Sequence, residues 1–179
     1  MVLYIDIEHA NISLDPDKGR ERLSHLQEIA ARFEEIAGRP CEILHYTALS
    51  PEELRGRNPS ALVLSGNSTL WHHYDMSTFA PLFRAIRGEA AGSRDLPILG
   101  TCGGHQLIAL AFGAPVRAMR WVGEGKPDES MRDGWMRESG LQKVQLRRRD
   151  PLFRGLPNPA VMFQSHYDHV VRLPPGFLW

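Results

Sequence analysis

Two hydrophobic periods alternate along the first two thirds of the chain. Short β-prone runs at residues 2–7, 41–46, 61–65 and 96–99 predict β-strands, and the third is apolar enough to be buried on both faces. Between them the apolar positions fall at helical spacing. Over 18–37, Leu23, Leu26, Ile29, Ala30, Phe33 and Ile36 mark one helix face, and Gly38 with Pro40 ends the helix. Ser50 and Pro51 read as the N-cap and first residue of a short helix. Phe79, Leu82, Phe83 and Ile86 predict a helix over 78–91, and Leu107, Ile108, Leu110, Ala111 and Phe112 one over 104–112. Strand and helix in alternation predict an α/β fold: a doubly wound, mainly parallel sheet with helices on both faces.

After Val116 the pattern changes. Residues 123–134 are polar and glycine-containing, a surface loop. Residues 141–146 alternate apolar and polar as in a half-exposed strand, and 160–163 and 170–173 are two further short strands.

The chemistry concentrates where the fourth strand stops. Leu99 is followed by Gly100, Thr101, Cys102, Gly103 and Gly104, then by the helical pattern. A cysteine at a sharp strand-to-helix turn projects from the strand's end, and small neighbours suit such a turn. It also sits at a helix N-terminus, where free N–H groups and the macrodipole favour a thiolate and can receive an oxyanion. A lone cysteine is by default a small buried hydrophobe. The flanking glycines and the change of period set Cys102 apart. A second glycine-bearing loop, Ser65, Gly66, Asn67, Ser68 and Thr69, falls at the end of the third strand. Loops after neighbouring parallel strands converge on one site.

Composition narrows the partners. Twenty-one basic and twenty-one acidic side chains balance, so no basic excess points to nucleic acid or an anionic membrane surface. No apolar run is long enough to span a bilayer, and no secretory signal opens the chain. Cys41 and Cys102, the two cysteines, form no metal-ligand spacing, and a disulfide framework is not expected. A reducing cytoplasm is the expected location, with no metal and no cofactor.

The run from Gly100 to Gln106 fits the G-x-C-x-G-x-Q nucleophile motif of class I glutamine amidotransferases, and the chain resembles that family from its first strand onward. Ser65, Gly66, Asn67 and Ser68 stand where the family has S-G-G-P. Glu138-Ser139-Gly140 and the run from Asp150 to Pro157 resemble the later part of the amidotransferase domain of GMP synthases. The run Ser165, His166, Tyr167, Asp168, His169, Val170 resembles S-H-G-D-x-V. The resemblance implies that Cys102 attacks the side-chain amide of L-glutamine and releases ammonia through a thioester. It implies an oxyanion hole from Gly103 with Gly66 and Asn67, an orienting role for Gln106, and substrate contacts from Ser165, Tyr167 and Asp168. Asn67 in place of glycine is accommodated, on this reading, because asparagine tolerates positive φ.

The family's base and its orienting carboxylate come from a His-Pro-Glu motif, and the sequence contains none. The expectation is therefore a single amidotransferase-like domain over 1–179 that lacks the family's C-terminal strands: either the chain is part of a longer domain, or a partner such as a synthase subunit, or a homodimer, covers the open edge. His166, two residues from Asp168, is the replacement base that spacing offers. His105 adjoins the motif but points along a different helical direction from Cys102. Two other readings share the elbow: a non-catalytic amidotransferase-like binding module, and a cysteine hydrolase of γ-glutamyl compounds.

Overall fold

All five residues of the first strand, β1 (Val2–Asp6), are buried, because the sheet is covered on both sides. The computed structural model describes residues 1–88, 96–147 and 150–178, in two compact units, Met1–Phe112 and Gly113–Trp179. In the first unit, α1 (Ala10–Ser13) and α2 (Lys18–Ala37) follow β1 and lead to β2 (Cys41–His45). Then come α3 (Pro51–Arg57), β3 (Ala61–Leu64), α4 (Ala80–Ile86), β4 (Ile98–Gly100) and α5 (Gly103–Ala111). The four strands are parallel in the order β2-β1-β3-β4. This is the α/β architecture that the alternation of periods predicts.

The pleat of β1 sorts its side chains. Val2 and Tyr4 pack with Val63 on Leu26, Ile29 and Phe33 of α2. Leu3 and Ile5 point the other way, with Leu62 and Leu64, onto Leu82 and Ile86 of α4 and Leu107 of α5. The chain leaves β1 for β2 on one side and returns to β3 on the other, so the winding reverses at β1. Ligand sites of open α/β sheets form at such a reversal, beyond the carboxyl ends of the strands.

Local signals in the sequence match the observed ends. Gly38 takes a left-handed φ of 60° and its N–H donates to Glu34 O, closing α2. The Ser50 hydroxyl accepts from Glu53 N at the start of α3. The helix predicted over 78–91 is shorter: a 3-10 turn at Met76–Phe79 passes into α4, and Gly88, at φ 71°, turns the chain after Arg87. Positions 89–91 of that prediction lie outside the described residues.

The second unit is built from two antiparallel ribbons. One pairs β5 (Val116–Ala118) with β8 (Asp168–Val170), and the other pairs β6 (Glu138–Val144) with β7 (Ala160–His166). The apolar-polar alternation of β6 does not hide Leu141, which is 73% exposed and lies opposite the exposed Phe163. The strand predicted at 170–173 begins two residues earlier and stops at Val170, just before a bend and two prolines. In the loop before β6, Trp121 and Trp135 pair edge to face at 5.3 Å. Gly134, at φ 81°, lets the chain pass over the Trp121 ring, where a Cβ would come within 2.4 Å of a ring carbon.

Candidate active site

The elbow is made by close approach at the glycines and by an unusual backbone at the cysteine. Cys102 has φ 50° and ψ −111°, one of two non-glycine residues with positive φ among the described residues. Such a conformation costs about 1–3 kcal/mol and persists only where the surroundings enforce it. They do so here. Thr101 N–H and its hydroxyl both donate to Leu64 O, which ties the end of β4 to the end of β3. Gly104 N–H returns to Thr101 O at 2.9 Å. A Cβ on Gly100 would lie 2.5 Å from the Gly104 carbonyl carbon, and one on Gly104 would lie 2.5 Å from Leu64 O. None of Gly100, Gly103 and Gly104 has positive φ. The small neighbours expected from sequence are therefore needed for packing, and the cysteine itself carries the strained backbone.

The loop after β3 faces this turn. A Cβ on Gly66 would sit 3.4 Å from Cys102 Cβ. A Cβ on Gly103 would come 3.2 Å from Asn67 N and collide with Asn67 Oδ1. Four of the predicted residues, Cys102, Gly103, Gly66 and Asn67, thus meet at one place, with the exposed Cys102 at the N-terminus of α5. Asn67 does not use the tolerance of positive φ expected of it, because its φ is not positive. Its Nδ2 donates to Thr69 O at 2.7 Å and to Tyr74 Oη at 3.3 Å. Gln106 is buried, and its Oε1 accepts from Trp71 Nε1 at 2.7 Å. In this setting it braces α5 against the segment after the β3 loop.

Beneath the two loops lies a charged cluster that the sequence did not announce. Asp6, Glu8, Ser65 and Gln106 are the buried polar residues among those described, and all four belong to this region. Asp6 is bonded to the Arg22 guanidinium through Nη2 and through Nε at 3.0 Å, and it accepts from the Ser13 hydroxyl at 2.7 Å. Arg22 Nη2 also donates to Gly66 O at 3.1 Å. The Ser65 hydroxyl accepts from Ile7 N–H and donates to Gly66 O at 2.8 Å. Glu8 has no exposed side-chain surface. Ser68 and Thr69 each offer it a backbone N–H and a hydroxyl. The only sequence signal was two acids at the end of an otherwise apolar strand.

Burial pushes the Glu8 carboxyl up, but hydrogen bonds from Ser68, Thr69 and His9 more than offset it and hold its pKa at about 2, below the ordinary 4.5. A depressed folded value gives stability that is fully present above pH 4.5 and is lost as pH falls toward 2. The difference corresponds to about 3 kcal/mol. Urea unfolding between pH 6 and pH 2.5 should show this loss, with a flatter profile in Glu8→Gln. Equal slopes in the two proteins would contradict it.

The remaining predicted residues lie in the second unit. Ser165 and His166 close β7, Tyr167 links the two ribbons, and Asp168 opens β8. Arg137 Nη2 donates to the Ser165 hydroxyl at 2.8 Å, and the Arg132 and Arg137 guanidinium groups lie 4.9 and 5.7 Å from the Tyr167 ring centre. His166 does meet a carboxylate, but across the ribbon: its Nε2 is 2.9 Å from Glu138 Oε2, the residue directly opposite in register. Among the described residues no three His, Cys, Asp or Glu side chains could jointly hold a metal ion, and no helix is long and apolar enough to cross a membrane.

The chain is similar to proteins of one known family. The family model for class-I glutamine amidotransferase matches residues 23–179. A glutamine-hydrolysing GMP synthase from Bacillus subtilis is 33% identical over 136 residues, covering 75% of this chain and 22% of that protein. One subunit of the glutamine-hydrolysing GMP synthase of Pyrococcus abyssi is 31% identical over 126 residues, covering 70% of this chain and 55% of the relative. The chain therefore spans under a quarter of the length of the Bacillus protein and about half that of the Pyrococcus one. Among solved structures, a glutamine amidotransferase from Methylobacillus flagellatus aligns with 98% of this chain and 58% of its own, at TM-score 0.57 and 18% identity. One from Thermotoga maritima aligns with 98% and 64%, at TM-score 0.56 and 20% identity, and these two likenesses concern the fold.

Proposed function

Because the chain belongs to the class I glutamine amidotransferases, we propose that Cys102 cleaves the side-chain amide of L-glutamine. The observation that carries this reading is the strained Cys102 at the start of α5, with Asn67 N beside Gly103. The Cys102 sulfur bonds to the amide carbon of glutamine, whose oxygen takes up the displaced electron pair. N–H groups of Gly103 and of the loop holding Gly66 and Asn67 receive that oxyanion. The carbon–nitrogen bond then breaks. The nitrogen leaves as ammonia, carrying the proton given up by the thiol, and a γ-glutamyl thioester remains. Water cleaves the thioester to glutamate and restores the thiol. Gln106, held by Trp71, fixes the orientation of α5 beneath the reacting group.

The ammonia serves an acceptor reaction on another polypeptide or domain. Relatives that are single subunits of a glutamine-hydrolysing GMP synthase support a separate acceptor polypeptide. Their names also support glutamine as substrate over a γ-glutamyl peptide.

Alkylation tests the site at the thiol itself. A chloroketone analogue of glutamine should label Cys102 at least about tenfold faster than Cys41, and excess glutamine should protect it. Equal labelling of the two thiols, or none, would remove the basis for the assignment.

A further inference from the structure

We propose that Glu8 is a positioning residue for the Cys102 site, setting the loop after β3 so that the Asn67 N–H faces the oxyanion. The proposal rests on the amidase reading above and goes beyond it by naming what holds the oxyanion loop in place.

The loop has little of its own to fix it. Gly66 adds no side chain, and no regular element runs between Leu64 at the end of β3 and the 3-10 turn at Trp71. Its fixed points are hydrogen bonds, and four of them converge on one carboxylate. Glu8 Oε2 accepts from Ser68 N and Ser68 Oγ, each at 2.6 Å. Glu8 Oε1 accepts from Thr69 N at 3.2 Å and Thr69 Oγ1 at 2.6 Å, and also from His9 N at 2.9 Å. Tyr74 Oη, which accepts from the Asn67 side chain, lies 3.2 Å from the same oxygen.

Every loop group facing Glu8 is a donor. Only an acceptor on both oxygens satisfies them, which an ionised carboxylate provides and an amide does not. Asn67 is the next residue in the chain before Ser68. On its other side, Ser65 is fixed by Ile7 N–H. The candidate oxyanion donor is thus suspended between two anchors supplied by the end of β1, the strand at which the sheet reverses its winding. A displacement of about 1 Å at such a donor is enough to cost a hundredfold in rate. The anchor therefore acts on the reaction through Asn67, without touching the substrate.

The test compares two labelling rates at Cys102 in the full chain. Iodoacetamide reads the thiol alone, whereas the chloroketone analogue of glutamine also needs the oxyanion cradle. In Glu8→Gln the analogue should react about tenfold or more slowly, with the iodoacetamide rate within about twofold of wild type. Glutamine hydrolysis should lose kcat by a similar factor, with KM changed less than about threefold. Thr69→Val removes one hydroxyl donor and keeps the shape, so it serves where Glu8→Gln does not fold, with an expected threefold loss in the analogue rate. A lowered Tm with an unchanged ratio of the two rates would overturn the proposal, leaving Glu8 purely structural. Wild-type analogue rates in the folded variants would also overturn it. If the wild-type protein itself is not labelled by the analogue, the amidase reading fails first, and this proposal with it.

Discussion

Glutamine-dependent ammonia release should fall by at least about a thousandfold in Cys102→Ala, while the fold survives. The size follows from the role. A nucleophile forms the covalent bond on which both halves of the reaction depend, so its removal leaves only what binding and the oxyanion hole contribute alone. Folding should be spared because Cys102 is exposed and its side chain is not part of either hydrophobic cluster. Ammonia release measured with a coupled assay, beside a thermal melt, checks both parts. Ammonia release at the wild-type rate from the alanine variant would show that the chemistry lies elsewhere.

The second large effect concerns stability. Asp6→Ala should destabilise the protein by about 3–5 kcal/mol, because it leaves the Arg22 guanidinium without its main counter-charge in a largely buried position. The Ser13 hydroxyl and Glu8 N–H lose their acceptor at the same time. Glu8 Oε2, 3.8 Å from Arg22 Nη1, offsets part of the loss. For a chain of this size the change is on the order of 10 °C in Tm. Replacing both partners, as in Asp6→Leu with Arg22→Met, should cost less than the sum of the single changes, since no uncompensated charge is then buried. Chemical denaturation of wild type, Asp6→Leu, Arg22→Met and the double variant reads the cycle, with Asp6→Ala measured beside them. A single Asp6→Ala within about 1 kcal/mol of wild type would refute the account.

The parts of this molecule that could be read from sequence are those written locally. Apolar runs of four to six residues marked the parallel strands, and the two central ones, β1 and β3, are covered on both faces. Gly38, Ser50 and Pro51 marked helix ends because capping acts over three or four residues. The elbow was legible for the same reason: Gly100 to Gln106 is one continuous segment. The supporting cluster was not, because Asp6 meets Ser65 fifty-nine residues on, and Glu8 meets Thr69 sixty-one residues on. No local period encodes such pairs. The His166–Glu138 contact depends on ribbon register, which an interval of two residues in sequence does not reveal. The exposure of Leu141 and Phe163 escaped for a related cause, since alternation says which residues share a face but not which face is covered.

The positive φ at Cys102 has a consequence for how this chain can change. At φ 50° and ψ −111° an L side chain is disfavoured, and glycine is the residue that relaxes there. Substitution by glycine would make the polypeptide easier to fold and would delete the sulfur. Robustness and reactivity therefore pull in opposite directions at a single codon. A screen for thermal stability alone would therefore favour glycine over cysteine at this position.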